Sequence, residues 1–540
     1  MSSYTRRNFI KRTVVASGTL GFATSCRRLL VTDRNELSRG AIDRLRAKLK
    51  GRLILPTDPS YESARRVFYW NAGTERRPQV IVQCAAEKDA LRAVEFARRH
   101  ELEVAARAGG HSHLGWGCSN GLVIDLSGMK RVVIDPLRRT ARAEGGVLSG
   151  EVARAAGRHG LAPVLGQCPG VGASGLILGG GLGWLSGLQG ASCDNLLSAR
   201  MVASDGRVLT ADSERHPDLF WALRGAGANF GVTTSFECRL HPIGAVTGGD
   251  IHYSVRDARL VLRFFRELME EAPDGLQATL NLTPGDRGVF VSLCHAGSEH
   301  EAERTLKSLR AIAPPTKEFV KRQEFAELAE RPAATNPANT PPPAFRGIQT
   351  VYRDRLSEDV IDIMVDRLGR ASAEIIMGIS HYLHGQVCRL APSATAFPLR
   401  QAGGLNVRLA YTWNDPGTGQ HLTQWADESL RLLRPSADEQ IYANFQTYET
   451  RNGAAAVYAA NFSRLAGIKH KYDPDNFFRR NSNIPQIGMQ SWEAREPSTR
   501  AAKLAAHLLT NQISCRFHIA FNLRNEPKEG QFFRMIRVQF

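Results

Sequence analysis

None of the nine cysteines, at positions 26, 84, 118, 168, 193, 238, 294, 388 and 515, stands in a CxxC pair. That argues against a zinc ribbon and a disulfide framework, so any chemically interesting cysteine acts alone. No GKS or GKT sequence is present, which excludes a P-loop, and the cluster Gly225 to Gly231 lacks GxGxxG spacing and follows a helical pattern, so no Rossmann site is expected there. There is no tandem repeat, no zinc-finger spacing, no RNA-recognition signature, and no apolar run long enough to span a bilayer. Acidic residues are the minority charge, 53 against 70 basic, giving +17 at pH 7. The basic residues are scattered rather than striped, so they read as a solvated surface and no nucleic-acid partner is expected.

What remains is a 540-residue chain, 43% hydrophobic and 23% charged, close to globular averages. At roughly 150 residues per domain it is long enough for two to four units. Near the N-terminus, Thr5-Arg6-Arg7-Asn8-Phe9-Ile10-Lys11 precedes a mild apolar run from Val14 to Ala23. This reads as a twin-arginine signal over residues 1–26, addressed to the twin-arginine export machinery and predicting a periplasmic or extracellular protein. The segment holds four basic residues and no acidic one, so its removal leaves +13. That route carries folded chains, which suits a protein that receives a cofactor before export. Cys26 is a candidate lipidation site, although the position three before it is not Leu.

From Pro78 onward, short strands alternate with amphipathic helices. Val80-Ile81-Val82 reads as a strand, Glu87 to Arg99 as a helix with Leu91, Val94 and Ala97 on one face, and Val104 to Ala106, Leu122 to Ile124 and Val132 to Ile134 as further strands. Strands come in clusters with short, irregular connections, so the fold class expected is α+β rather than a doubly wound sheet. Residues 162–190 are rich in glycine yet apolar, hence ordered backbone packed against something. Pro332 to Pro343 reads as an exposed loop, and 247–455 as a second domain. Residues 487–540 carry no signal of purpose.

Two segments carry chemistry. Arg107-Ala108-Gly109-Gly110-His111-Ser112 follows a strand, and its glycines allow backbone N–H groups to approach a phosphate. Gly166-Gln167-Cys168-Pro169-Gly170-Val171-Gly172 continues through Gly175 to Leu178-Gly179-Gly180-Gly181-Leu182-Gly183-Trp184. Taken alone, each is also consistent with a close-packed glycine turn. A cluster of His111, His113 and Cys118 lacks a fourth ligand, so no metal site is expected.

Together with Gly121-Leu122-Val123-Ile124-Asp125-Leu126-Ser127, Asp194-Asn195-Leu196, Asp218 to Gly225, Asn229-Phe230-Gly231-Val232, Asn461 to Leu465 and Lys471 to Arg479, these segments resemble the berberine-bridge-enzyme-like FAD oxidoreductases. That family belongs to the vanillyl-alcohol oxidase, or para-cresol methylhydroxylase-type, flavoprotein superfamily. The resemblance covers about residues 50 to 486. It implies a para-cresol methylhydroxylase-type FAD-binding domain of two α+β subdomains, formed by 45–246 and a closing segment 456–486. Residues 247–455 would form a substrate domain with an antiparallel sheet and helices.

Carried over by position, the cofactor-binding residues are Arg107, Ala108, Gly109, Gly110, His111, Ser112, Cys168, Val171, Gly172, Gly175, Gly179, Gly180, Gly181, Gly183, Asp194, Asn195, Gly231, Val232, Asn476 and Asn483. The resemblance implies that His111 holds the FAD 8α-methyl and Cys168 the flavin C6, both covalently. Imidazole and thiolate are the nucleophiles suited to an electrophilic flavin. The implied reaction is hydride transfer from a small-molecule substrate to flavin N5, with dioxygen reduced to hydrogen peroxide. The substrate expected is a hydroxyl-bearing organic, an oligosaccharide or a glycosylated natural product. The alternatives are a dehydrogenase using another acceptor, or a catalytically silent flavin- or carbohydrate-binding protein.

The catalytic base departs from the family pattern: Phe445 stands where several relatives carry Tyr, and Asn406 where others carry Glu. If 441–448 is a strand, Tyr442 and Tyr448 share a face and are the candidate bases. Asn71, Thr395 to Phe397, Trp413 and Asn483 are expected to shape the fold and the cleft.

Overall fold

Val80, Ile81 and Val82 are wholly buried; they form an inner strand of a small sheet in the computed structural model, which describes residues 37–331, 344–434, 440–448 and 453–485. The signal segment with Cys26, the proline-rich 332–343 and the extension 487–540 lie outside the described residues. One compact unit, residues 1–47, is described from residue 37 and contains the helix Arg39–Arg46, capped where Ser38 Oγ accepts the Ala41 N–H at 3.3 Å. The rest of the chain forms a second unit.

In that second unit the described strands build three sheets. The first contains β1 (Arg52–Ile54), β2 (Val80–Gln83), β3 (Val104–Arg107) and β4 (Leu122–Asp125), in the order β1-β2-β4-β3. Strands β2, β4 and β3 run parallel and β1 antiparallel. The helix Glu87–Arg99 crosses from β2 to β3, burying Ala90, Ala93, Val94 and Ala97. Asp89 caps its start, with Oδ2 accepting the N–H groups of Ala85 at 2.8 Å and Ala86 at 3.1 Å.

The second sheet comprises β5 (Val132–Asp135), β6 (Thr140–Glu144), β7 (Ala162–Pro163), β8 (Leu196–Val202), β9 (Val208–Asp212) and β10 (Val232–His241). Its order is β5-β6-β10-β8-β9 with β7 against β10, all antiparallel.

The third and largest sheet contains β11 (Ala245–Tyr253), β12 (Leu276–Leu282), β13 (Val289–His295), β14 (Lys317–Glu318), β15 (Lys321–Glu324), β16 (Phe345–Arg353), β17 (Ile375–Tyr382) and β18 (Leu405–Trp413). Its order is β14-β11-β13-β12-β17-β18-β16, with β15 on β11. Successive side chains on a strand point to opposite faces. Leu280, Leu282, Val407 and Leu409 therefore pack with Phe265, Val360 and Leu430 from three helices in one apolar cluster. The alternate residues Thr279, Asn281, Arg408 and Ala410 turn to the other face, which lines a cavity.

These sheets and helices make the fold α+β, as expected. The segment 441–448 corrects the expectation of a strand: Ala443–Phe445 is a single 3-10 turn. Asn444 drives it, donating from Nδ2 to Leu176 O at 2.9 Å and to the Tyr442 hydroxyl at 3.1 Å. The side chain thereby competes with a ladder that has no partner strand there.

The closing helix Phe462–Tyr472 is locked by Lys469, which is fully buried. Its Nζ donates to Asp473 Oδ2 at 2.7 Å, Asn229 O at 2.7 Å and Phe478 O at 2.9 Å, using all three protons. Asn229 Oδ1 in turn accepts the Ile484 N–H at 3.1 Å. Residues 469–484 are thus bonded to the stretch that leads into β10. Among the described residues no helix is long and apolar enough to cross a membrane, and no group of side chains could hold a metal ion.

Candidate active site

The two segments singled out by their glycines meet. A Cβ built on Gly109 would lie 2.4 Å from the Gly172 amide nitrogen, and one on Gly172 2.4 Å from that of Gly109. No side chain fits between the loops, so backbone packs on backbone and His111 and Cys168 line one cavity of about 590 Å³, a size suited to a small-molecule site. The remaining walls come from the polar face of the large sheet, the turn at 443–446 and the closing segment at 480–482. A second cavity of about 360 Å³ shares Arg107 to Gly110 with the first and reaches Arg52, Arg66, Gln83 and Ser127.

Arg107 anchors the histidine loop. It pairs in register with Asp125 across β3 and β4, and its Nη2 donates to Asp125 Oδ2 at 2.8 Å. This explains why the two motifs occur together. Gly110 adopts a φ of +65°, which turns the chain after the strand.

The His111 ring stacks on Phe68 with centroids 4.0 Å apart. Its Nδ1 lies 3.1 Å from Gly109 O, while Nε2 is buried without a partner. Burial lowers its pKa to about 4, so the imidazole is neutral at physiological pH. His113 and His381 are likewise held to about 3, by burial first, with the neighbouring His111 ring second for His113 and the Arg408 charge second for His381. They flank Phe445, at ring distances of 5.1 and 4.8 Å. Burial pushes the Cys168 thiol up, opposed by the N–H groups of Gly170 and Val171 and by the charge of Arg408.

Of the positions expected at the cofactor, Arg107 to Ser112, Cys168, Val171, Gly172, Gly175 and Gly179 line the main cavity. The others line neither cavity. Gly180 and Gly181 pack against Phe397 and Ser192, Gly183 against the Leu165 carbonyl, and Gly231 against Met201 and Val202. Val232 opens β10 opposite Val202. Asp194 is engaged by Arg400 through two contacts of 2.7 and 2.6 Å. Asn195 donates to Gln189 O and Ala191 O and meets His241. Asn476 takes a left-handed turn, and both Asn476 and Asn483 keep a buried Oδ1 without a partner.

Neither candidate base reaches the cavity. Tyr442 is buried with its hydroxyl accepting from Gly181 N at 3.1 Å and Asn444 Nδ2 at 3.1 Å. Tyr448 lies under the Arg434 guanidinium, 3.7 Å from the ring centroid. Because 441–448 is a turn, the shared face expected of the two tyrosines does not exist. Asn406 is buried beside His381 and lines neither cavity.

The sequence reading missed Tyr69, Asp250, Arg331, His381 and Arg408, all on the cavity wall. Tyr69 stands edge-on to His113 at 4.7 Å. Burial raises its phenol, while Cys168 adds to that and the charges of Arg408 and Arg346 oppose it. Asp250 and Arg331 form an ion pair at 2.7 Å. A register shift between Ile379 and His381 brings the consecutive residues Ser380 and His381 to the cavity together.

The chemistry fits a flavin: a glycine cradle, a free thiol, an unpartnered buried imidazole nitrogen and a large cavity. A family model described as an FAD binding domain matches residues 78–212, and one described as berberine and berberine like matches 441–485. An uncharacterised FAD-linked oxidoreductase of Bacillus subtilis is 32% identical over 449 residues, covering 82% of this chain and 98% of the relative. The crystal structure of 6-hydroxy-D-nicotine oxidase from Arthrobacter nicotinovorans superposes with a TM-score of 0.72 at 29% identity, covering 81% of this chain and 98% of that one. A berberine-bridge-enzyme-like protein of Physcomitrella patens gives 0.73 at 25%, covering 83% and 99%. Glycine cradle, closing segment and a likeness that spans nearly the whole of each relative together place this chain among the berberine-bridge-enzyme-like FAD-linked oxidoreductases of the vanillyl-alcohol oxidase superfamily.

Proposed function

We propose that the protein is an exported FAD-dependent oxidase whose flavin is bonded to His111 and Cys168, and that it oxidises a hydroxyl-bearing organic, an oligosaccharide or a glycosylated natural product. The observation that carries this reading is the backbone contact of Gly109 with Gly172, which brings the segments of His111 and Cys168 to the same cavity. When bound, FAD supplies the hydride acceptor, and its reoxidation by dioxygen releases hydrogen peroxide.

The chain's own residues prepare that chemistry. With Nδ1–H donated to the Gly109 carbonyl, His111 keeps its lone pair on Nε2, the buried nitrogen without a partner. Neutrality of the ring preserves its nucleophilicity. At Cys168 burial favours the neutral thiol, and the N–H groups of Gly170 and Val171 and the charge of Arg408 offset part of that. The N–H groups of the Gly109-Gly110 turn are the donors for the anionic part of the cofactor. On the substrate side, Tyr69 Oη has no hydrogen-bond partner among the described residues and is the polar group offered to the substrate hydroxyl.

Export rests on Arg6, Arg7 and the apolar run behind them. The mass of the native chain tests the central claim: one FAD increment surviving denaturation is expected. His111→Ala and Cys168→Ala should each retain bound flavin, and the double variant should release it. Colourless protein with the mass of bare polypeptide would overturn the reading.

A further inference from the structure

The main cavity contains a cation that no described carboxylate neutralises. Its wall includes four guanidiniums, Arg107, Arg331, Arg408 and Arg480, and one carboxylate, Asp250. Asp250 belongs to Arg331, Arg107 is paired with Asp125, and Arg480 donates to the Cys118 carbonyl. Arg408 pairs with no carboxylate among the described residues. Among the described residues its side chain makes one hydrogen bond, to the neutral Asn281 Oδ1, and its Nε is buried without a partner.

The register shows how this is built. Asn281 on β12 is paired with Gly378 on β17, and Gly378 with Arg408 on β18, so the three stand in one row on the cavity face. Gly378 has no side chain, and the guanidinium reaches across it to Asn281. The polar row Asp250, Ser292 and Thr279 runs alongside on β11, β13 and β12. Tyr69, with its free hydroxyl, and Cys168 are the titratable groups that feel the Arg408 charge most directly, and burial holds both in their neutral forms. His381 and His113 on the same wall are neutral as well.

Arg408 is partly buried on the cavity wall, a guanidinium does not shed its proton, and withdrawing one from water without a counter-charge is costly. A counter-charge brought by the ligand removes that cost. We propose that the substrate carries a carboxylate that pairs with Arg408, which makes the preferred substrates hydroxy acids, acidic sugars among them. This rests on the oxidase reading and narrows its substrate class. The planar fork of Arg408 accepts a carboxylate through two parallel N–H···O bonds, while Asn281 holds the fork in place.

The test uses calorimetric titration of the purified flavin-loaded protein with benzoate and with benzamide, which share a shape and differ in charge. Benzoate is expected to bind about tenfold or more tightly than benzamide, as a charge-assisted pair requires. Arg408→Gln should bring the two to within about twofold, whereas Arg408→Lys should retain a reduced preference. Equal binding of the two probes, no binding of either, or a preference surviving in Arg408→Gln would overturn the proposal. Flavin content is read on the same samples. If Arg408→Gln loses flavin while its probe ratio stays unchanged, Arg408 serves the cofactor and the proposal fails. If the wild-type protein lacks flavin yet prefers benzoate, the oxidase reading fails and the anion site stands.

Discussion

Gly109 and Gly172 lie so close that a single methyl group on either would overlap the other's backbone nitrogen at 2.4 Å. The contact joins two loops about sixty residues apart in the chain, and both proposed flavin attachments depend on it.

Gly172→Ala is therefore expected to push the loops apart. Overpacking of this kind costs about 1–3 kcal/mol. The melting temperature should fall, and the fraction of chains carrying FAD after denaturation should fall with it. Gly160→Ala, where nothing lies within 4 Å, is the control for added volume alone, although its φ of +64° carries its own modest strain.

Lys469 and Asp473 are both fully buried and bonded at 2.7 Å. Lys469→Met leaves a buried carboxylate unpaired and should destabilise the protein by about 3–5 kcal/mol. The double variant Lys469→Met/Asp473→Leu should recover part of that loss. Thermal unfolding at a fixed scan rate compares the three, and additive effects would show that the pair is not coupled.

The buried histidines set an acid limit. His113 and His381 have folded pKa values of about 3, far below the unfolded value of about 6.5. The unfolded chain then binds more protons between those values, so the stability these residues contribute is complete above pH 6.5 and is lost as pH falls toward 3. Melting temperature against pH should decline through this window, and His381→Gln should flatten the decline.

Tyr69→Phe removes the phenol offered to the substrate hydroxyl. Steady-state rates with a turned-over substrate should drop about tenfold to a hundredfold in kcat, with a smaller change in KM. Equal kcat in wild type and variant would move that role elsewhere on the wall.

Conservative replacement of Arg6 and Arg7 by lysine should abolish export while leaving folding unchanged, because the recognised feature is the arginine pair. Cell fractionation reads the outcome, and unaltered secretion would remove the proposed destination.

Local order was plain in the chain itself. The helix Glu87–Arg99 and the strands around Val80, Val104, Leu122 and Val132 follow from periodicity, because each buries one face or both against a neighbour close in sequence. His111 and Cys168 were visible because glycine clusters surround them. The segment 441–448 misled, since its alternating Tyr, Asn, Gln and Tyr imitate a strand, whereas a side-chain bond from Asn444 to Leu176 makes it a turn. Arg408 and Asn281 lay beyond reach for another reason. They meet only through the order of strands in the large sheet, and no local pattern encodes that order.

The row of Asn281, Gly378 and Arg408 has one further consequence. The proposed attachment residues sit on loops of the two smaller sheets, whereas the proposed reader of the substrate stands in a single row of the large one. Exchanging the residue at 408 would retune which molecules are accepted and also weaken the charge that favours the Cys168 thiolate, so the proposed selectivity is tied to one mooring and separate from the other, at His111.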